Sequence, residues 1–388
     1  MKIFHISDLH IGKQLNYYNL KENQAAVLKE IVRKMEEYHP DVLLIVGDIF
    51  DKSVPSGEAY TLFDDFLNQA AKIRPAIPIC IIAGNHDSPE RLNYASSFME
   101  KHRIYISAMP PQKPEEFLKK LVLEDGYGPV NFYFLPFTKP GYVRRIFPEQ
   151  DISDYEKAVR ALLEREAIDW NQRNVLISHQ FYQGQGWETQ TCESEQVVLS
   201  VGGLDRIDIS AIRKFDYAAL GHLHGPQQIK EPHIRYSGSP LKYSVSEEHQ
   251  KKSVTMVTLK EKGETPEIEL LALPAIQDVR SVRGSLSEVT ARAGEKNRHD
   301  FVRVTVTDEN EPYRMKEQLQ EVYDFLLEIR VDNERTRERM KTEGETYEKL
   351  SPDTAFRAFY EEIQKEPLSV KEEALMAKLL DELTEEDE

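Results

Sequence analysis

Asp8-Leu-His10 stands directly after a short apolar run, and four later segments repeat the arrangement: Gly47-Asp48-Ile-Phe-Asp51, Gly84-Asn85-His86-Asp87, Ser178-His179 and Gly221-His222-Leu-His224. Taken alone, Asp-x-His is a common polar strand end. Repetition changes its meaning, because sites in open α/β sheets form where strands give way to loops at their carboxyl ends. If the first strand runs on, Asp8 and His10 face one side and converge. Imidazole mixed with carboxylate suits Mn²⁺, Fe²⁺ or Zn²⁺, whereas Mg²⁺ and Ca²⁺ favour oxygen ligands throughout. One aspartate can bridge two such ions roughly 3.5–4 Å apart, the separation used for in-line displacement at phosphorus. These residues point to two-metal phosphoester hydrolysis.

An α/β layered domain over residues 1–274 is expected to position them, since short apolar runs alternate there with amphipathic stretches. Strands are predicted at 2–7, 42–47, 78–83, 132–135, 175–178 and 217–220. Leu20, Val27, Leu28, Ile31, Val32 and Met35 recur at helical spacing, as one buried stripe would. Further helices are predicted at 59–72 and 155–170. After His224 the pattern turns to strands alone, at 234–237, 253–259 and 267–273, which are expected to close a second sheet. The result would be two packed sheets with helices outside.

Residues 274–277 mark a boundary, and 275–335 read as a small α+β unit. Its strands are predicted at 278–283, 301–307 and 326–331, with helices from Ser287 and over 313–324. The charged stretch 333–345 lacks apolar periodicity, and 336–350 reads as a linker. In 351–388, Ser351-Pro352 suits an N-cap with proline in the first turn, and Phe356, Phe359, Tyr360 and Ile363 make an aromatic face. Pro367 stops that helix, Ser369 and Glu372 form a capping-box pattern, and Leu375, Met376, Leu379, Leu380 and Leu383 line a second helix.

The bulk composition constrains less. At 388 residues the chain is long enough for two or three domains. Its longest early apolar run, 42–46, is far too short to span a bilayer. The opening reaches His5 and Asp8 too soon for a signal peptide. Two cysteines, Cys80 in an apolar run and Cys192 in a polar loop, make no disulfide framework, so a cytoplasmic setting is expected. The net charge of −17 argues against a phosphate-binding surface at first sight. Yet 351–388 hold twelve acids and four bases, so about half of the excess lies in the last tenth of the chain. Bound cations would offset part of the remainder.

The five motifs, in this order, resemble the calcineurin-like metallophosphoesterase superfamily over residues 1 to about 240. That resemblance implies the four-layer αββα fold of two β-sheets flanked by helices. It implies one metal on Asp8, His10, Asp48 and His224, and a second on Asp48, Asn85, His179 and His222. His86 would be the catalytic proton donor to the leaving oxygen, a role suited to a side chain that changes charge near neutral pH. Asp51 and Asp87 would orient His86 and its loop. The remaining histidines are expected elsewhere: His5 hydrogen-bonded in the core, and His39, His102, His233, His249 and His299 facing solvent.

Within the superfamily, three phrases are similar to the nuclease subunits of bacterial SbcCD-type complexes. They are His5-Ile-Ser-Asp-Leu-His10-Ile-Gly, Asp216-Tyr-Ala-Ala-Leu-Gly-His-Leu-His224 and Tyr236-Ser-Gly-Ser-Pro-Leu-Lys242-Tyr. This likeness implies a DNA-repair nuclease that uses two divalent ions, Mn²⁺ foremost, as 3′–5′ exonuclease and endonuclease on double-stranded ends and hairpins. The implied partner is an SbcC-type ABC ATPase with a long coiled coil, on which Phe356, Phe359, Tyr360, Leu375, Leu379 and Leu383 would dock. A homodimer within a heterotetramer, in the cytoplasm near the nucleoid, completes the expectation. The chain has no Gly-x-x-x-x-Gly-Lys-[Ser/Thr] loop, in keeping with ATP use by a separate subunit. In the unit 275–335, Arg280, Arg283, Arg292, Lys296 and Arg298 are candidates for DNA phosphate contacts. The rival readings are a metallophosphatase or phosphodiesterase for nucleotides or phosphoproteins, and a binding scaffold with a vestigial site.

Overall fold

The computed structural model describes residues 1–195, 206–294, 298–310 and 312–337, and positions 356, 357, 359–361, 363, 366–369, 371–373, 375 and 376. Lys296, Leu379, Leu380, Leu383 and most of the linker lie outside the described residues.

Val42–Val46, with sequence VLLIV, is buried along its whole length, as a strand covered on both faces must be. It pairs in parallel with Lys2–Ile6 on one side and Ile79–Ile82 on the other, and Ile104–Ser107 continues the parallel set. Ser253–Thr258 joins the free edge of Lys2–Ile6 antiparallel, in the register His5 to Thr255, and Glu267–Ala272 follows it. This six-stranded sheet corrects the expectation that the last two strands close a second sheet. They cap the first one, because Lys2–Ile6 otherwise presents an unpaired ladder to solvent.

The second sheet also has six strands, in the order Gln227–Ile229, Glu231–Tyr236, Tyr217–Gly221, Arg173–His179, Gly128–Leu135 and Lys119–Asp125. The strand predicted at 132–135 begins at Gly128, and Lys119–Asp125 pairs with it as a hairpin across Gly126-Tyr127. Between the two sheets, Leu44, Val46, Cys80 and Ile82 pack against Phe132, Phe134, Val175, Ile177 and Ala219. Each of the larger side chains contributes about 1.5–3 kcal/mol by leaving water.

Helices cover the outer faces, giving the helix–sheet–sheet–helix layering. Lys21–Tyr38 packs its predicted stripe on the first sheet and ends at His39, whose φ of 48° is left-handed. Gly57–Lys72 lies on the same side, its first turn capped by the Ser56 hydroxyl accepting from the Ala59 N–H. Tyr155–Arg165 covers the second sheet. It stops short of the predicted residue 170 because Glu166 turns extended and its carboxylate accepts the Leu118 N–H at 2.8 Å.

A separate parallel sheet, Val279–Gly284, Phe301–Val306 and Phe325–Val331, has its own core of Val289, Val302, Val304, Leu319 and Tyr323. It sits against the main body through Asn16 Nδ2 to Leu327 O at 2.8 Å, Lys242 to Asp278 at 2.7 Å, and Ser281 N–H to Glu248 at 2.6 Å. Three of its candidate DNA-binding arginines are already ion-paired: Arg280 with Asp300, Arg283 with Asp332 and Arg298 with Asp324. Near the C-terminus, Ser369 and Glu372 exchange the hydrogen bonds of a capping box. Phe356, Phe359, Ile363 and Leu375 are exposed there. Among the described residues no helix is long and apolar enough to cross a membrane.

Candidate metal centre

The five motifs meet at one end of the two sheets. Asp8, Asp48 and Asn85 follow strands of the first sheet, and His179, His222 and His224 come from the second. Register sets Gly221 opposite His179, so His222 emerges beside it. Convergence does not arise by strand alternation, as expected for Asp8 and His10. The strand ends at Ile6, and Asp8 (φ 54°) and His10 (φ 42°) are both left-handed, as are Asp48 (φ 49°) and His222 (φ 106°). Such backbone is costly for residues with a Cβ and persists only where the surroundings hold it. Here the first two loops hydrogen-bond to each other, Asp8 N–H to Gly47 O at 3.1 Å and His10 N–H to Asp48 O at 2.9 Å.

Glycine before each of three motifs permits the approach. A Cβ on Gly221 would lie 1.9 Å from Val46 O, one on Gly84 2.2 Å from Asp48 Oδ1, and one on Gly47 2.2 Å from His179 Nδ1.

Side-chain geometry forms two linked groups. His10 Nε2 and His224 Nε2 are 3.0 Å apart. Asn85 Oδ1 lies 3.2 Å from His179 Nε2 and 3.0 Å from His222 Nδ1. Asp48 Oδ2 stands between the groups, 3.6 Å from His10 Nε2 and 3.4 Å from His179 Nε2. Its Oδ1 accepts the His86 N–H at 2.8 Å. Asp8 accepts the His222 N–H at 3.0 Å and the Ser7 hydroxyl. Ligand-capable atoms of Asp8, His10 and His224, and of Asp8, Asp48 and His179, lie within 4.8 Å of one another.

Electrostatics fit the same reading. Burial, then the neighbouring Asp48, pushes the Asp8 carboxyl up to about 8. Burial opposes charge on His179, yet the Asp48 carboxylate beside it holds that imidazole up to about 9. Burial pushes His222 down to about 3 and His224 down to about 4. A buried cluster of this kind, with two carboxylates and acceptor nitrogens facing each other, is the donor set a divalent cation completes.

His86 is placed beside the cluster, its ring 4.8 Å from that of His10. Its Nδ1 donates to the Asp51 carbonyl at 2.8 Å, which fixes the ring and leaves Nε2 outside that bond. Asp51 thus reaches His86 through its backbone, while its carboxylate takes Lys13 at 2.8 Å. Asp87 accepts the N–H groups of Ile49, Phe50 and Gly84 and ties the second motif to the third. His5 is buried, with Nδ1 2.8 Å from the Tyr217 hydroxyl, as expected of a core histidine. His39, His102, His249 and His299 are exposed or partly so, and His233 is half-buried.

Other residues at the centre carried no signal that sequence reading used. Ser194 Oγ is 2.7 Å from His224 Nδ1 and 2.6 Å from Glu247 Oε1. Glu195 accepts the His224 N–H at 2.6 Å, and Lys252 pairs with Glu247 at 2.5 Å. No spacing rule connects Ser194 to a glutamate 53 residues later.

Residues 1–226 match the calcineurin-like phosphoesterase family, and residues 275–364 match the family described as type 5 capsule protein repressor C-terminal domain. The SbcD component of nuclease SbcCD from Staphylococcus epidermidis is 32% identical over 332 residues, 85% of either chain. Its counterpart in Staphylococcus saprophyticus subsp. saprophyticus is 30% identical over 392 positions, covering 100% of this chain and 99% of its own. Among solved structures, GAP50, the anchor in the inner membrane complex of Plasmodium, aligns with a TM-score of 0.41 at 12% identity, over 85% of this chain and 96% of that one. With a family match over more than half of its length and relatives 30–32% identical over 85–100% of it, the chain belongs to the calcineurin-like phosphoesterase family, among the SbcD components of SbcCD nucleases, and is a metal-dependent phosphodiester hydrolase.

Proposed function

We propose that this chain is the nuclease subunit of an ATP-regulated DNA-repair complex, cutting double-stranded ends and hairpins as a 3′–5′ exonuclease and an endonuclease by two-metal in-line hydrolysis. The observation that carries the chemical half is Asp48 Oδ2 standing between His10 and His179, where a bridging carboxylate belongs. Asp8, His10, Asp48 and His224 would hold one ion, and Asp48, Asn85, His179 and His222 the other, with Mn²⁺ suited to this mixed set. Bound there, the ions supply Lewis acidity, acidifying a water and offsetting negative charge on the phosphate.

The chain's own residues do the rest. Asp87 fixes the loop that carries Asn85 and His86. The Asp51 carbonyl holds His86 by Nδ1, so a proton on Nε2 can pass to the departing oxygen. The DNA half rests on the likeness to the SbcD components of SbcCD nucleases. From it follows the division of labour: 1–274 as nuclease, 275–335 as capping and DNA-binding unit, 336–350 as linker, and 351–388 as the segment docking on the coiled coil of an SbcC-type ATPase. A homodimer within a heterotetramer, in the cytoplasm at the nucleoid, belongs to the same reading.

The test compares duplex DNA with a small chromogenic phosphodiester, each with Mn²⁺ and the ATPase partner. Cleavage of duplex ends that responds to ATP is the expected result. Good turnover of the small ester with intact duplex would replace the nuclease reading with that of a phosphatase or nucleotide phosphodiesterase.

A further inference from the structure

We infer that Ser194, Glu195 and Glu247 form a clip that fixes the tautomer and aim of His224, making the loop 190–195 part of the metal centre. The inference rests on the reading of His224 as a metal ligand and adds three positioning residues that act through it.

Proton counting carries it. Ser194 Oγ lies 2.7 Å from His224 Nδ1 and 2.6 Å from Glu247 Oε1, and a hydroxyl has one proton to give. Glu247 is fully buried and its Oε2 takes the Lys252 ammonium at 2.5 Å, so it is an ionised carboxylate and can only accept. The serine proton therefore goes to Glu247, and the serine lone pairs receive Nδ1–H of His224 and the thiol proton of Cys192, whose Sγ is 3.1 Å away. Nε2 is left bare, directed at His10 Nε2 3.0 Å away. This is the tautomer a ligand needs. The direct His224 to Glu247 separation, 3.7 Å, is too long for a hydrogen bond, so the serine is the necessary link.

The backbone of His224 is held as well. Its N–H donates to Glu195 Oε1 at 2.6 Å, and its carbonyl accepts from Lys252 Nζ at 2.9 Å. Glu195 Oε2 in turn takes the Cys192 N–H at 2.9 Å, and the Glu193 N–H reaches Ser246 Oγ at 3.0 Å, which seats the loop on the turn Val245–Glu247. The other histidines are held more simply. His179 Nδ1 donates to the Val46 carbonyl at 2.8 Å, and His10 Nδ1 has no hydrogen-bond partner among the described residues. Partners behind a metal-bound histidine are typically worth about 10–100-fold in metal affinity.

The experiment titrates Mn²⁺ into the full-length, metal-stripped chain without DNA, following affinity and stoichiometry by calorimetry and Mn²⁺ resonance spectra. Ser194→Ala is expected to bind one of two ions roughly 10–100-fold more weakly and the other unchanged, with Ser194→Thr restoring the first. Ser194→Cys, which keeps the bulk and weakens the hydrogen bonds, is expected to repeat the loss and replaces the alanine variant should that fold poorly. His224→Ala separates the two levels of inference. If His224→Ala keeps both ions, the ligand reading falls and takes the clip with it. If His224→Ala loses one ion while folded Ser194→Ala and Ser194→Cys bind both at native affinity, the clip alone is overturned.

Discussion

His10 and His224, 214 residues apart in the chain, bring their Nε2 atoms to 3.0 Å. Two bare imidazole nitrogens repel at that distance, so a proton on one of them or a cation must sit between them. In the proposed reading a cation replaces that proton, and metal binding is then coupled to stability. Mn²⁺ at a hundred times its dissociation constant should add about 2.7 kcal/mol per site, raising the melting temperature by several degrees. His10→Ala should lose much of that increment. A melting temperature indifferent to Mn²⁺ and to chelator would remove the metal centre from the account.

His86 makes a sharper case, because it is the motif histidine proposed to bind no ion. His86→Ala should keep both ions and DNA binding while losing cleavage by about 10²–10⁴-fold. Elemental analysis beside single-turnover assays checks this, and loss of metal in the variant would contradict the proton-donor role.

Gly221 tests the close contact of the sheets. An alanine there places a Cβ 1.9 Å from Val46 O and 2.7 Å from His179 Nδ1. Gly221→Ala should cost more than the ~1–3 kcal/mol of ordinary overpacking and should weaken the ion assigned to His179. Gly141→Ala, with nothing within 4 Å of its Cβ, is the neutral control. Equal urea midpoints for the two variants would dismiss the constraint.

What the sequence made legible follows this boundary between side chain and backbone. Ligand types at strand ends could be read because apolar runs announce strands and the polar residues after them stand out. The glycines were visible in Gly47-Asp48, Gly84-Asn85 and Gly221-His222, but their reason is a neighbour from another strand, such as Val46 O against Gly221. Likewise the left-handed turns at Asp8 and His10 replace the alternation that a continuing strand would give. Strands 253–258 and 267–272 were read as strands but placed in the wrong sheet, since pairing partners are not encoded in local pattern. Ser194, Glu195 and Glu247 stayed hidden because their roles exist only once His224 is in place.

The C-terminal segment carries Phe356, Phe359, Ile363 and Leu375 exposed on the surface. As an apolar face behind a polar linker, it is proposed to dock on the coiled coil. Removing residues 351–388 should abolish co-purification with the ATPase and leave basal Mn²⁺-dependent cleavage intact. A truncated chain that still co-purifies would move the docking site elsewhere.

His5 provides a pH signature independent of the metals. It is buried between the sheets, with the Tyr217 hydroxyl at Nδ1 and Leu220 O at Nε2, and burial pushes it down to about 3, aided by the positive charge of Arg235. An unfolded histidine titrates near 6.5. Between these values the unfolded chain holds more protons than the folded one, so stability falls as pH falls through 6.5 and continues to fall toward 3. From pH 7.5 to 5.5 this one group should cost about 1.4 kcal/mol. His5→Gln can donate to Leu220 O and accept from Tyr217 without titrating, and should lose less stability over that interval by the same amount. Every other histidine is common to both proteins, so the difference between their urea midpoints at the two pH values isolates His5. Identical pH dependence would mean that His5 is protonated, or open to water, in the folded chain.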